Sequence, residues 1–378
     1  MLTLRVVPRI RDIPKEAWDA LAVPAVSPFV EHTWLDCLEE AGCVGERAGW
    51  IPQHLALYDG EELVAAAPAY AKTNSEGEFV FDWAWADLAD RLGIAYYPKL
   101  VVAVPFTPAT GDRVLVKPGR DRAETVAVFA EAIRKLVAEI GLSSAHVLFP
   151  PEAEAEDFGR AGMMIRHGVQ FHWTNEGFGS FEDFLATLPQ KKRTQIRRER
   201  KQLAMDGVTL QTLGPQDLSR DVAHAMYDLY TTTVDKYFYG RRYLKKRFFE
   251  LVAERFAHRL AWVVAKKDGH IIASAFNVKK RDVLYGRYWG AHVDLPFLHF
   301  NVCYYHGIDE AIREGLKTFN PGAGGEHKRV RGFLPTVTCS AHHVENPKMR
   351  AIIADFLSHE RAAIAAHVAE ERALAGKT

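Results

Sequence analysis

The sequence is short of the features that would decide its class at once. Its four cysteines, Cys37, Cys43, Cys303 and Cys339, are scattered and form no C-x-x-C pair. That gives no sign of a thiolate zinc site or a dithiol redox motif, and reduced, partly buried thiols are the reading. No run approaches the roughly 18 apolar residues of a membrane span, and the opening MLTLRVVPRIRDIPKEAW lacks the apolar core of a signal peptide. A cytoplasmic, reducing location is expected, with no membrane span. Net charge is absent too: 48 Lys and Arg stand against 48 Asp and Glu. The molecule as a whole is therefore no polyanion binder, DNA is not an expected partner, and any attraction to RNA must come from local patches. G-x-x-x-x-G-K-[ST], a G-x-G-x-x-G after the first strand, and G-x-S-x-G are all missing, so neither nucleotide hydrolysis nor a serine nucleophile is signalled. The segment TPATGD (107–112) reads as a plain turn.

What is present is the material of an ordinary globular protein: 378 residues, 48% hydrophobic and 25% charged, enough for two domains with a core each. A strand (LTLRVVPRI) and a helix opened by Asp12 and Pro14 come first. A second helix runs from Ser27-Pro28 to Gly42, and a hairpin turns on Asp59-Gly60. Then come an aromatic segment that is helical toward its end, a buried strand, an amphipathic helix ended by Gly141, and the strand AHVLFP. From about Gly177 a similar order repeats. A helix is capped by Ser180 and Asp183, and a long basic helix spans 188–206. A strand and a mostly helical stretch follow, then three strands turning at Asp268-Gly269 and Lys280–Asp282. A helix ended by Gly315, two more strands and a terminal helix complete the chain. Alternating strands and helices with hairpins argue for an α/β (α+β) fold with mixed sheets. The expected division is 1–175 and 176–378.

Three stretches carry chemistry. Between Lys191 and Lys201 there are seven cations and a single acid, Glu199. Like charges four apart repel, as at Arg193, Arg197 and Lys201, so an anionic partner is expected, against the alternative of a surface helix whose cations are paired elsewhere. The second stretch, TTTVDKYFYGRRYLKKRFF, mixes Tyr230, Tyr237, Phe238, Tyr239 and Tyr243 with Lys236, Arg241 and Arg242, as sugar, base or phosphate sites do, against the alternative of a helix pair whose aromatics are core. In the third, VLYGRYWGA, Tyr285, Arg287 and Trp289 alternate on one strand face, and Arg287 is placed in a cleft near Glu326 or Asp294. That stretch leads through a helix and a strand to GAGGEHKRVRGF. There, glycines that expose backbone N–H groups surround Glu326, His327, Lys328, Arg329 and Arg331. The turn follows a strand and is not expected to open a helix, so a side-chain site is favoured over a phosphate loop. His299 and His306 read as structural.

Four segments, SPFVEHTWLDCLEEAG, YYPKLVVAVPFTPATGDRVL, LPQKKRTQIRRERKQLAMDG and LYGRYWGAHVDLPFLHFNVCYYHGIDEAIREG with its GAGGEHKRVRGFLP extension, resemble the FemAB-like N-acyltransferase family, in its peptidoglycan biosynthesis/recognition branch. The resemblance implies two tandem acetyltransferase-type (GNAT-like) domains with a cleft between them. It also implies transfer of an acyl or aminoacyl group from an activated donor to an amine acceptor, a small molecule or a peptide, in that cleft. Better-studied relatives use aminoacyl-tRNA. The basic helix here is shorter than their coiled-coil arm, and the acetyltransferase signature Q/R-x-x-G-x-G/A is missing. The co-substrate thus stays open between aminoacyl-tRNA and acyl-CoA, with tRNA a candidate partner and no tightly bound cofactor or metal expected. Glu326 or His327 is expected to take the amine proton, with Asp235 in reserve. Lys328 with the N–H groups of Gly324 and Gly325 is expected to hold the oxyanion or a phosphate. Arg193, Arg197, Lys236, Arg242, Tyr285 and Arg287 are expected to bind the substrates. The alternatives are a non-catalytic binder of a cell-wall precursor or RNA, and an acyl-CoA N-acetyltransferase.

Overall fold

The structure is a computed structural model describing residues 2–236 and 240–376, without the side chains of Glu326, Ala375 and Gly376. Tyr237, Phe238 and Tyr239, placed in the aromatic–cationic stretch above, lie outside the described residues. The chain forms two compact units: residues 1–169 with 337–368, and residues 170–336 with 369–378. The division thus falls at 169/170, against 175/176 from sequence, and a late segment returns to the first unit.

In the first unit, β1 (Leu2–Val7), β2 (Trp50–Pro52), β3 (His54–Asp59), β4 (Glu62–Ala67), β5 (Ala69–Lys72), β6 (Lys99–Val102), β7 (Leu115–Val116) and β8 (Ser144–Leu148) are joined by five helices. These are α1 (Lys15–Ala22), α2 (His32–Glu40), α3 (Trp83–Arg91), α4 (Arg122–Ile140) and α5 (Glu152–Arg160). Gly60 makes the β3–β4 turn at φ 61°, a conformation that costs glycine little. Strands β1, β3, β4 and β7 form one antiparallel sheet, in the order β1-β3-β4-β7. In the other run of strands, β2, β5 and β6 are antiparallel and β6 and β8 are parallel. Helix α4 is capped by the Asp121 carboxylate and closed by Gly141 at φ 71°. Its stripe of Val126, Phe129, Ala130, Ile133 and Val137 packs with Leu100, Val102, Ala145 and Val147 into the core.

Strand β9 (Met164–Thr174) carries the chain into the second unit. There α6 (Phe181–Ala186), α7 (Gln190–Met205), β10 (Thr209–Thr212), α8 (Arg220–Val234) and α9 (Lys246–Arg255) precede β11 (Val263–Lys267), β12 (His270–Lys280) and β13 (Val283–Ala291). A helix follows in three parts: α10 (Leu298–Phe300), a π-helical turn (Asn301–Tyr305) and α11 (His306–Arg313). Strand β14 (Thr318–Asn320) runs parallel to β13, while β10–β11–β12–β13 and β14–β9 pair antiparallel. Gly290 of β13 lies so close to α8 that a Cβ would stand 1.7 Å from the Leu229 carbonyl oxygen, which only glycine permits. Strand β15 (Leu334–Val344) then returns to pair with β8, and α12 (Pro347–Gly376) ends the chain. Helix α5 and strand β9 are additions to the sequence reading, which closed the first half at AHVLFP. The expected mixed-sheet α/β architecture is present in both units.

Candidate active site

Strands β13 and β14 pair only over Val283↔Thr318, Leu284↔Phe319 and Tyr285↔Asn320. β14 then stops while β13 runs on to Ala291, and the Gly-rich turn fills the divergence. Gly286 lets the two chains pass: a Cβ there would lie 3.2 Å from the Pro321 Cα. The Asn320 Oδ1 accepts from the Gly322 N–H at 2.9 Å. Gly322, Gly324 and Gly325 take φ values of 88°, 72° and 91°, and a short 3₁₀ segment, Glu326–Arg331, follows, closed by Gly332. The expectation that this turn opens no helix is corrected here: it opens one short 3₁₀ stretch, too brief to bring a helix dipole.

Lys328 is buried, and its Nζ donates to the carbonyls of Gly322 at 2.7 Å and Ala323 at 3.3 Å. Its ammonium is thus spent on folding the turn back on itself. Burial pulls its pKa down to about 8. Among the described residues the N–H groups of Gly324 and Gly325 have no acceptor, so they remain open as donors. His327 stands next to them, exposed, with Nε2 2.8 Å from the Tyr304 hydroxyl. The His299 ring lies 5.7 Å and the Phe300 ring 5.8 Å from the His327 ring, and Trp289 packs on His299 at 4.6 Å. Although its surface is open, the ring is partly desolvated by the groups around it, and this, with the neighbouring Lys328 and Arg331 charges, keeps the His327 pKa below the usual histidine value. Burial, with His327 second, lowers His299 to about 4. Burial raises Tyr304. At neutral pH this is an uncharged imidazole held by a protonated phenol, the state a general base needs.

The π-turn divides two adjacent tyrosines between two tasks. Tyr304 holds His327, while Tyr305 donates to the Glu199 carboxylate and accepts from Arg331 Nε at 2.8 Å. Glu199, the single acid of the basic stretch, is buried and also accepts from Arg331 Nη2 at 3.2 and 3.3 Å and from Gln195 Nε2 at 2.8 Å. Arg331 in turn lies 3.4 Å over the Phe300 ring. The basic helix is thereby bolted to the helix that carries Tyr304. Its expected ligand-binding residues are partly engaged. Arg197 pairs with Glu182 at 2.6 Å, and Arg193 donates to the Leu188 carbonyl at 3.1 Å. Lys191, Lys192 and Lys201 have no acidic partner among the described residues.

The remaining expected residues lie on the end of α8, the segment after it, and β13. Asp235, at the end of α8, is exposed and bidentate with Arg242, its Oδ1 accepting from Nε at 2.8 Å. The reserve base is thus held as an ion pair. Lys236 is exposed. Tyr285 is buried. The β12–β13 register slips so that Phe276 faces Tyr288 and Asn277 faces Gly286, leaving Arg287 as the extra residue of a β-bulge. Its guanidinium lies 5.5 Å over the Tyr288 ring, and Asp294, one of its expected partners, is exposed. Trp289, His299 and Tyr304 were missed as site residues: their meeting with His327 depends on contacts between separate elements, although the aromatic-rich helix was visible. After TPATGD, Arg113 is buried and donates to the carbonyls of Leu148, Gly111 and Ala109, which fits a structural turn.

A second concentration of perturbed groups sits inside the first unit. Lys72 and Lys99 face each other across β5 and β6, both fully buried. Lys99 donates to Ser75 at 3.0 Å, to Glu78 at 2.9 Å and to Asp82, and Lys72 donates to Asn74 and the Glu76 carbonyl at 3.0 Å. Burial lowers Lys72 to about 7 and raises Glu78 to about 7, while at Asp82 the upward push of burial is outweighed by Lys99, His146 and Ser75 together, which leave it at about 2. His146 and His342 join Nδ1 to Nδ1 at 2.7 Å, each ring tied on its other side to a serine. Among the described residues no group of acids, histidines and cysteines has the arrangement of a metal site.

A family model described as peptidoglycan biosynthesis/recognition, FemAB-like, matches residues 9–375. A search of curated proteins finds no match. Among solved structures, FemX superposes with a TM-score of 0.55 at 11% identity, over 90% of this chain and 98% of that one. The C-terminal DUF2156 domain of a protein from Agrobacterium fabrum, assigned as a lysylphosphatidylglycerol synthetase, gives 0.56 at 14% identity over 90% and 95%. L-PGS from Bacillus licheniformis gives 0.52 at 10% identity over 85% and 95%. At such identities the likeness is one of fold. No described helix is long and apolar enough to cross a membrane.

Proposed function

The chain belongs to the FemAB-like family, whose tandem GNAT-like fold is an acyltransferase fold, and on that premise we propose that it is an N-acyltransferase. It moves an acyl or aminoacyl group from an activated ester or thioester to an amine. The observation that carries this reading is the His327 ring, fixed by Tyr304 beside two glycine N–H groups that have no acceptor among the described residues. With the Nε2 proton donated to the phenol oxygen, Nδ1 carries a lone pair and takes the proton of the incoming ammonium. The freed amine attacks the carbonyl carbon. The new C–N bond forms as the C–O or C–S bond breaks, the imidazolium proton passes to the leaving alkoxide or thiolate, and the imidazole so regenerated takes the second proton of the attacking nitrogen and releases it to solvent, leaving a neutral amide. The Gly324 and Gly325 N–H groups are aimed at the oxyanion, and Lys328 keeps their turn in shape. The co-substrate is aminoacyl-tRNA or acyl-CoA, and Lys191 and Lys201 of the basic helix, without an acidic partner among the described residues, support an anionic donor. The family description supports a peptidoglycan-related amine as acceptor.

The test is discharge of labelled aminoacyl-tRNA or acetyl-CoA in the presence of amino-terminal cell-wall peptides. Acceptor-dependent discharge that falls about 10²- to 10⁴-fold in His327→Ala supports the reading. Binding of either donor with no acceptor-dependent discharge would favour the non-catalytic alternative instead.

A further inference from the structure

A groove of about 660 Å³ lies in the second unit, walled by the start of α7, the 3₁₀ turn and the end of α12. That volume is within the range of small-molecule sites, about 300–1,000 Å³. Its floor is apolar, with Trp173, Phe178, Phe184, Leu188 and Val330. At its lip Leu334 and Leu374 are 38% and 47% exposed, large apolar side chains left on the surface. Polar capacity is left over as well. The Trp173 indole N–H is buried and without a partner among the described residues.

Charge on the lining is lopsided. Lys192, Arg329 and Arg372 face one acid, Glu176. Arg329 is matched by Glu371 at 2.7 Å. The Arg372 guanidinium, in contrast, donates to the Pro335 carbonyl at 3.2 Å, and neither it nor Lys192 meets a carboxylate among the described residues. An apolar floor whose lining also carries cations with no carboxylate partner among the described residues is complementary to an amphiphile whose head is an anion. A guanidinium fork matches phosphate geometry, and a phosphate monoester brings nearly two charges to offset the surplus.

We propose that this groove binds a single-chain amphiphile with a phosphate head, its hydrocarbon on Trp173, Phe184 and Leu188 and its phosphate at Lys192 and Arg372. The site is separate from acyl transfer, because it uses neither His327 nor Tyr304, and its test reads binding alone.

Calorimetric titration of the full chain with octyl phosphate and decyl phosphate, below their micelle concentrations, tests it. Each seated methylene should tighten binding by up to about fourfold, so decyl phosphate should bind up to about fifteenfold more tightly than octyl phosphate. Lys192→Glu and Arg372→Glu should each weaken decyl phosphate about tenfold or more, with an unchanged melting temperature. Inorganic phosphate and decyltrimethylammonium should bind far more weakly. Equal affinity for the two chain lengths, or for the cationic amphiphile, overturns the proposal. Decanoate binding as tightly as decyl phosphate overturns the assignment of the head group. The chain-length series on the unaltered protein decides the matter even where a variant misfolds.

Discussion

Replacing Glu199 by alanine should destabilise the second unit out of proportion to the size of the change. Glu199 is 1% exposed and is the one acid of a strongly basic helix. Its carboxylate receives Arg331 through two contacts of 3.2 and 3.3 Å, Gln195 at 2.8 Å and the Tyr305 hydroxyl. Arg331 is itself 4% exposed, so Glu199→Ala strands a buried guanidinium beside a phenol that has lost its acceptor. Breaking one side of such a pair costs about 3–5 kcal/mol. For a unit of this size that is a fall in melting temperature of roughly 6–20 °C, at about 2–4 °C per kcal/mol. Urea unfolding followed by fluorescence measures it. The double variant Glu199→Leu with Arg331→Met removes both charges and should recover most of the loss, because an apolar pair of similar volume replaces a desolvated ion pair at little cost. A loss below about 1 kcal/mol in the single variant, or a double variant no more stable than Glu199→Ala, would refute the reasoning.

Other outcomes follow from the same structure. If His327 is the base, kcat/KM should rise with pH through a value below that of an ordinary histidine, reflecting its partial desolvation and its cationic neighbours; a limb that persists in His327→Ala shows that another group titrates. In the first unit, Glu78 is raised to about 7 against a usual 4.5, so the folded state holds the extra proton and loses stability as pH climbs from about 4.5 to 7. Glu78→Gln should therefore gain stability relative to the parent across that window and level off above it, and a difference independent of pH would contradict the burial argument. Gly290→Ala places a methyl group 1.7 Å from the Leu229 carbonyl oxygen, backbone that cannot swing aside. Thermal unfolding should show a loss of about 1–3 kcal/mol or more.

Much of the fold was written locally. Ser180 accepting from the Asp183 N–H, Gly141 ending α4 and the Asp59-Gly60 and Asp268-Gly269 hairpins depend on neighbours in the chain, so a sequence displays them. The basic helix and the glycine-rich turn were visible for the same reason. What stayed hidden is non-local. Lys328 looked like an oxyanion donor because its carbonyl partners, Gly322 and Ala323, are met only once the turn folds back. Arg287 looked like one member of a regular alternation because the slipped register that makes it a bulge is a property of two strands. Lys72, Lys99, His146 and His342 carry no motif: they come from four strands and become a cluster only when β5, β6, β8 and β15 are laid side by side.

The late return of β15 to the first unit also sets a clock. On the ribosome, β8 is complete at Leu148, but the strand that covers its open edge ends at Val344. At about 5–20 residues per second, roughly 10–40 s of synthesis separate the two events. Throughout that interval the first unit has an unpaired strand edge, with His146 waiting for His342, the kind of surface that recruits foreign strands. A slow ribosome should therefore endanger the N-terminal half more than the half made after it. Aggregation at high expression should begin with chains stalled between the two strands.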